Sequence, residues 1–311
     1  RDKHVTGVQT CALPILTIKG GVLVKKVLFD GKRTTGIEAE SGGENFTVEG
    51  DEIILSAGAV ASPQLLMLSG VGPGGNLASV GIPLVHNLEG VVQNMKNHPS
   101  LSIRFQPKEG YSLPPESPRN QVALRFSAAG STTRNDIQVQ PITSGPKGRE
   151  ADEIRVGCRL ELPESAGELT LASADPMVQP KRDYQSLVQI QDRERMREAV
   201  RTCGRIFGRQ GFQEIIEERI SPTETDLESD ARLDEWLDRN IGVAGHSCGT
   251  CKMGPALDPA AVVDQYCRVY GLEGLRVIDA SVMPEITRAN TNATTIMIAE
   301  RVAEFIRNGD T

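Results

Sequence analysis

The stretch Gly245-His246-Ser247-Cys248-Gly249-Thr250, followed at once by Cys251-Lys252-Met253-Gly254, sets an imidazole and two thiols close together in a glycine-punctuated loop. An imidazole so placed can accept or donate a proton, because its pKa lies near working pH. With Cys248 and Cys251 it could instead ligate a metal, or it could simply hold a tight turn. The HxCxxC pattern offers zinc three donors, but a structural site wants a fourth at a recognisable spacing, and Cys267 stands alone further on. No metal is expected. A turn-holding role is the default for a lone histidine until a partner in proton transfer is identified.

The other chemistry-bearing residues make weaker cases. His98, in Asn94-Met95-Lys96-Asn97-His98-Pro99, has no sequence neighbour that could orient it or carry a second proton, so it reads as structural. His86 reads as a surface residue. Trp236 reads as core filling on a helix face. The acidic pairs at 192–198 and 224–238 read as solvated helix faces, not as catalytic carboxylates.

The 311 residues, 39% hydrophobic and 24% charged, suffice for a real core in one large or two medium domains. A formal net charge of -7, with basic residues scattered among acids, argues against nucleic acid as a partner. No apolar run reaches transmembrane length and no signal-peptide pattern opens the chain, so a cytoplasmic setting is expected. Six dispersed cysteines suit a reduced compartment better than a disulfide scaffold, although their even count allows one bridge. The stretch VTGVQTCALPI at residues 5–15 resembles translated sequencing-adapter DNA residue for residue, so residues 1–15 are expected to be foreign to the fold.

What must position the candidate residues is a mixed α and β chain. Val22–Phe29 and Thr34–Glu38 flank Asp30-Gly31-Lys32, which predicts a hairpin, with a further short strand at Phe46–Glu49. Glu52–Leu55 is a compact apolar strand that breaks into Ser56-Ala57-Gly58, small residues that let the chain approach something bulky. Ser62-Pro63 predicts the cap and first turn of a helix that stops at Gly70. From about 98 to 180, the pieces LSIRF, VALRF, DIQVQ, IRVGCRLEL and GELTL predict one antiparallel sheet with an exposed face, and 106–119 a loop or lid. Met196, Val200, Cys203 and Phe207 mark one amphipathic helix; Leu233, Trp236 and Leu237, after Ser229, mark another. Arg276–Ser281 reads as a strand ending in an acid and small residues, and Asn292–Ile306 as a helix with Ala299, Val302, Ala303 and Ile306 on one face. The α/β pieces at the two ends, 16–97 and 239–311, belong together, with an antiparallel domain at 98–238 inserted between them.

Several separated stretches resemble the glucose-methanol-choline (GMC) flavoprotein oxidoreductases: VLVKKVLFDGKRTTGIEA at 22–39, GAVASPQLLMLSGVG at 58–72, GELTLASADPMVQPKRDY at 167–184, then HSCGTCKMG, VVDQYCRVYGLEGLRVIDASVMP and NTNATTIMIAERVAEFI in order. The resemblance covers nearly all of residues 16–311. It implies a mixed α/β fold, a partial FAD-binding domain with an inserted substrate domain built on an antiparallel sheet. It further implies FAD as cofactor and oxidation of the CH-OH group of a small-molecule alcohol, with hydride passing to the flavin N5 and electrons then to oxygen or another acceptor. By the same resemblance His246 is the catalytic base and Asn290 the second active-site residue, a position that is asparagine in choline-oxidase-like members and histidine in glucose-oxidase-like ones. Val24 would approach the adenine, Ala57 and Gly58 the nucleotide side, Asp279 and Ala280 the pyrophosphate or ribityl chain, and Thr291 with Asn292 the pyrimidine edge of the flavin. At 94–99 the chain departs from the family's usual NLQDHP, with Lys96 and Asn97 in place of glutamine and aspartate, which puts that local contact in doubt.

Elementary chemistry supports the same roles. Hydride can leave an alcohol carbon only as the hydroxyl proton is removed, which suits imidazole, whereas asparagine can hydrogen-bond the oxygen but is no ordinary base. A helix starting near Asn292 would aim unpaired N–H groups at negative charge on a reduced flavin, contributing about 0.3–2 kcal/mol, and capping by Asn290 or Asn292 is an additional role. No G-x-G-x-x-G follows an early strand, although an FAD enzyme of this class needs one for the pyrophosphate. The expectation is a chain truncated at its N-terminus that, isolated, binds FAD weakly or not at all and is inactive. The alternative is a truncated or non-catalytic member serving only in binding or interaction; a zinc hydrolase is a distant third.

Overall fold

The computed structural model describes residues 16–111, 118, 122–142 and 153–310. The adapter-like stretch at 5–15 and half of the expected lid, 112–117 and 119, lie outside the described residues, while Gln106 and Pro107 at its start belong to a strand. The predicted hairpin forms: β1 (Leu23–Asp30) pairs antiparallel with β2 (Arg33–Ser41), which pairs with β3 (Glu44–Glu49). β4 (Ile53–Leu55) runs parallel to a strand near the other end of the chain, Leu275–Val277, with Ile53 opposite Leu275. This pairing joins the two ends of the sequence.

Helix α1 spans Gly58–Leu68, so Ser62 and Pro63 lie inside it and not at its start. Proline lacks the N–H that would bond to the carbonyl four residues back. Here that carbonyl, of Ala59, accepts the Thr250 hydroxyl at 2.7 Å. Ser62 Oγ does not cap the helix but donates to Asp279 Oδ2 at 2.5 Å and accepts from Ala57 N at 2.9 Å. The helix keeps its proline because a distant loop fills the gap. A short parallel pair, β5 (Val71–Gly72) with β6 (His86–Asn87), then brackets α2 (Gly74–Ser79).

The inserted part is a six-stranded antiparallel sheet. It contains β7 (Pro99–Pro107), β8 (Leu124–Phe126), β9 (Ile137–Ile142) and β10 (Ile154–Leu160). The expected strand in GELTL is absent from it: β11 (Glu168–Thr170) pairs with β12 (Lys181–Asp183), and Leu169 and Leu171 pack into the core beneath α1. Alternation fixes which side chains are buried but not which strand lies alongside. Helices α3 (Ile190–Phe207) and α4 (Gln210–Gln213) follow, then β13 (Ile216–Ser221), α5 (Glu224–Leu227), α6 (Asp230–Asn240) and β14 (Gly242–Val243). The sheet order is β13-β7-β10-β9-β8, with β14 also paired to β7, so two strands outside the predicted range complete it.

One face of this sheet meets α3 and α6. Met196, Val200, Cys203 and Phe207 pack with Leu233, Trp236 and Leu237 against Ile103, Val156 and Leu160, as the two helical stripes predicted. Each such aliphatic side chain contributes about 1.5–3 kcal/mol on burial. Trp236 is core, with its indole N–H donating to Ser221 Oγ at 2.9 Å. The five described cysteines are free and buried.

Two expectations about helix faces need correction. Asp192 is not solvated but fully buried; its carboxylate accepts Glu164 N at 2.9 Å and Ser165 N at 2.7 Å and pairs with Arg195. A buried carboxylate persists only when charge and lone pairs are both matched, and here it pins the turn that follows β10. The last helix, α7 (Asn292–Asn308), buries Val302 and packs through Ile298, Phe305 and Ile306, while Ala299 and Ala303 face outward. The long side chains, not the alanines, choose the packed face. β15 (Leu275–Val277) ends earlier than predicted, because Asp279 caps a turn over Ala280–Val282 by accepting Ser281 N at 2.7 Å. The cores of the two parts meet at a small cluster of Cys248, Met283 and Ile286 with Leu162, Ala280 and Ile298.

Candidate active site

His246 and His98 are hydrogen-bonded. Their segments run antiparallel: Lys96 and Cys248 exchange backbone bonds at 2.9 and 3.0 Å, while beyond the loop Gly242 and Val243 pair with Ser100 and Pro99. The register changes between these two stretches, and Gly245, at φ 81°, supplies the left-handed residue that the change requires. His246 and His98 therefore face one another, with Nδ1···Nδ1 at 2.9 Å and rings edge-on.

Asn97 fixes both backbones at once. Its Oδ1 accepts His98 N at 2.9 Å and His246 N at 3.0 Å, and its Nδ2 donates to Ser247 Oγ, which also bonds Tyr184 OH at 2.9 Å. An amide oxygen takes these two bonds as a carboxylate oxygen would. Lys96 is buried, donates to Pro163 O at 3.1 Å and lies 3.4 Å from Glu285.

The bond chain assigns the ring protons. His98 Nε2 lies 2.8 Å from Thr287 O, and a carbonyl can only accept, so Nε2 carries a hydrogen. Burial holds the His98 imidazole down at about 4, which keeps it neutral near pH 7 and leaves its Nδ1 a bare acceptor. His246 Nδ1 must then donate, and the lone pair of neutral His246 sits on Nε2. Burial, then the Arg159 guanidinium, lowers the His246 pKa as well. The expectation that His98 lacks any proton-carrying neighbour is overturned: its neighbour is His246, 148 residues away.

Glu161 closes the back of the pair. Its Oε2 is 3.5 Å from His98 Nε2 and its Oε1 3.9 Å from Arg125, yet among the described residues neither buried oxygen has a hydrogen-bond partner. Burial raises its pKa. Glu161 carries no motif signal of its own, and Asn97, noted only as a departure from a family segment, shows its role only through the long-range pairing.

The residues expected at a nucleotide divide into groups. Gly58 N donates to Asp279 Oδ2 at 2.9 Å, and Ala280 O accepts Gly249 N at 3.2 Å, so Ala57, Gly58, Asp279 and Ala280 gather where the parallel strands β4 and β15 end. A Cβ on Gly58, at φ 86°, would meet open space. Thr291 is the N-cap of α7 and Asn292 its first residue, but no side chain caps that end, so neither Asn290 nor Asn292 has the capping role expected of it. Asn290 is exposed three residues after Thr287, with no hydrogen bond among the described residues joining it to His246. Val24 lies on β1, which packs against α1, and no bond among the described residues links it to the histidine pair. Exposed small residues and uncapped N–H groups form a donor set that fits a flat ring with an anionic tail, the FAD implied by the resemblance.

His246, Cys248 and Cys251 do not converge: among the described residues no cluster of three or more His, Cys, Asp or Glu is placed to hold a metal. Burial pushes the Cys248 thiol up to about 12. His86 is not a plain surface residue; it is partly buried, accepting Lys32 Nζ at 3.0 Å and contacting Tyr270 O at 3.0 Å.

Family models described as GMC oxidoreductase match residues 8–100 and 163–299. An oxygen-dependent choline dehydrogenase of Escherichia coli O127:H6 (strain E2348/69 / EPEC) is 35% identical over 329 residues, covering 96% of this chain and 59% of that protein. The chain thus spans about three fifths of the length of the curated relatives it matches. Pyridoxine 4-oxidase from Mesorbium loti has a TM-score of 0.84 at 26% identity, over 92% of this chain and 57% of that one. Formate oxidase from Aspergillus oryzae RIB40 shares the fold, with a TM-score of 0.81 at 23% identity over 93% and 60% of the two chains. No helix among the described residues is long and apolar enough to cross a membrane.

Proposed function

The chain belongs to the GMC oxidoreductase family, and from that premise we propose that it forms part of an FAD-dependent oxidoreductase acting on the CH-OH group of a small alcohol, with His246 as base. The observation that carries this reading is the bond chain from Thr287 O through His98 to His246. It leaves His246 Nε2 as the lone pair that takes the hydroxyl proton while the C–H bond breaks. His98 is a positioning residue, since it touches His246 and holds its tautomer. FAD, when bound, supplies the acceptor for the hydride. Ala57, Gly58, Asp279 and Ala280 hold the cofactor at the carboxyl ends of β4 and β15, where open α/β sheets bind ligands. Thr291 and Asn292 offer it the positive end of α7, and Val24 lines the adenine side. Asn290 donates a hydrogen bond to the substrate oxygen. Residues 16–97 and 239–311 form the cofactor part, and 98–238 the substrate part.

The test is anaerobic bleaching of the FAD-loaded protein by a panel of alcohols. His246→Ala should slow bleaching by about 10²- to 10⁴-fold, the usual worth of a positioned base. An unchanged rate would remove His246 from the role. If no alcohol bleaches the FAD-loaded parent, the non-catalytic binding reading takes its place.

A further inference from the structure

The open face of the inserted sheet carries a straight polar row beside the histidine pair. Gly242 lies opposite Ser100, Ser100 opposite Arg159, Arg159 opposite Gln138, and Gln138 opposite Arg125. Ser100 is two residues from His98, and Gly242 four from His246. Because side chains alternate along a strand, this row projects away from the buried Val156, Cys158 and Leu160. Most of its cations are already committed. Arg125 donates to Arg288 O at 2.5 Å and to Gln138 Oε1 at 3.0 Å, and further along the same face Arg104 donates to Glu153 at 3.0 Å.

Arg159 is different. It is half-buried, in the middle of the row, and among the described residues its guanidinium makes no hydrogen bond or ion pair. Its charge nevertheless reaches His246, His98 and Glu161, since it shifts all three. Glu161 does not neutralise it at bonding distance, and burial favours the protonated form of that carboxyl. A half-buried, unpaired guanidinium is costly unless something completes it, and its planar fork matches a carboxylate. A phosphate dianion would call for a second free guanidinium, and that of Arg125 is already hydrogen-bonded to Arg288 O and Gln138 Oε1.

We propose that Arg159 anchors a carboxylate carried by the substrate, so that the substrate class is the small hydroxy acids and not the quaternary-ammonium alcohols. This rests on the reading of the protein as an alcohol oxidoreductase. The geometry places the anchor on the sheet and the base on the loop, so a substrate bridges them with its hydroxyl at His246 and its acid group at Arg159.

Calorimetric titration with butyrate and with choline, FAD present, tests the anchor without turnover, because butyrate has no hydroxyl to oxidise. Butyrate should bind the parent at least about 10-fold more tightly than choline, and Arg159→Met should lose about 10- to 100-fold in butyrate affinity, with Arg159→Lys retaining part of it. Among the described residues the Arg159 side chain has no hydrogen bond to lose, so far-UV circular dichroism should match the parent, and Arg159→Lys provides the same comparison with the charge kept. No butyrate binding to the parent, choline binding as tightly as butyrate, or equal butyrate affinity in Arg159→Met overturns the proposal. Anchored butyrate with no bleaching by 4-hydroxybutyrate or any other alcohol keeps the anchor and refutes alcohol oxidation. Bleaching by 4-hydroxybutyrate and 1,4-butanediol alike, unchanged in Arg159→Met, keeps oxidation and refutes the anchor.

Discussion

The histidine pair and the start of α7 are joined within a few residues through Thr287, yet they are built in opposite ways. Around the imidazoles, Asn97 accepts both histidine backbone N–H groups, Ala244 N donates to His98 O, and the His98 ring donates to Thr287 O. At the start of α7, Asn290 and Asn292 are exposed, no side chain caps the helix, and Ile296 and Met297 remain 54% and 56% exposed. The histidine pair is thus locked by the chain as it folds, whereas the helix end is an open surface with uncapped N–H groups. Preorganisation of a base requires a locked supporting shell, and ligand capture requires open donors.

The sharpest way to break this contrast is to remove the shared acceptor. Asn97→Ala orphans two N–H groups, one buried and one partly so, and should destabilise the protein by about 2–5 kcal/mol in urea unfolding, while Asn97→Asp, which keeps an acceptor, should cost far less. Equal losses in the two variants would show that Asn97 does not clamp the loop.

A second, comparable effect follows from His98. Its folded pKa of about 4 lies below the ordinary 6.5, so between those values the unfolded chain binds more protons than the folded one. Stability should therefore fall as pH drops from about 6.5 to about 4, by about 3 kcal/mol, and this contribution should level off below. Glu161, raised by burial, titrates with the opposite sign, so the difference between the parent and His98→Asn isolates the imidazole. Parallel pH profiles for the two would contradict the buried neutral ring. The smallest effect belongs to the open side: Asn292→Ala should change stability by no more than about 0.5 kcal/mol, as expected of an exposed residue without a cap bond. A loss of 1 kcal/mol or more there would mean that the helix end is as locked as the histidines.

Local patterns were legible where burial follows a period. The stripe Met196, Val200, Cys203, Phe207 and the turn at Asp30-Gly31 formed as read, because each depends on neighbours in sequence. His246 stood out through its motif, and Gly58 with Asp279 through resemblance, and the structure brings the latter two together by a backbone bond. What escaped reading was partnership across the chain. His98 looked idle because its partner is far away in sequence; Asp192 looked solvated because its amide donors come from another segment. Pro63 looked like a helix start because its missing bond is made good by Thr250. Arg159 sits in a strand whose alternation reveals its face but not its solitude.

The hydroxyl of Thr250 that satisfies Ala59 belongs to the same loop that aims His246. Loss of that bond would leave the Ala59 carbonyl without the partner that makes good the missing proline N–H. The placement of the His246 loop and the mechanical soundness of α1 are one shared trait, so a change at either end must be compensated at the other.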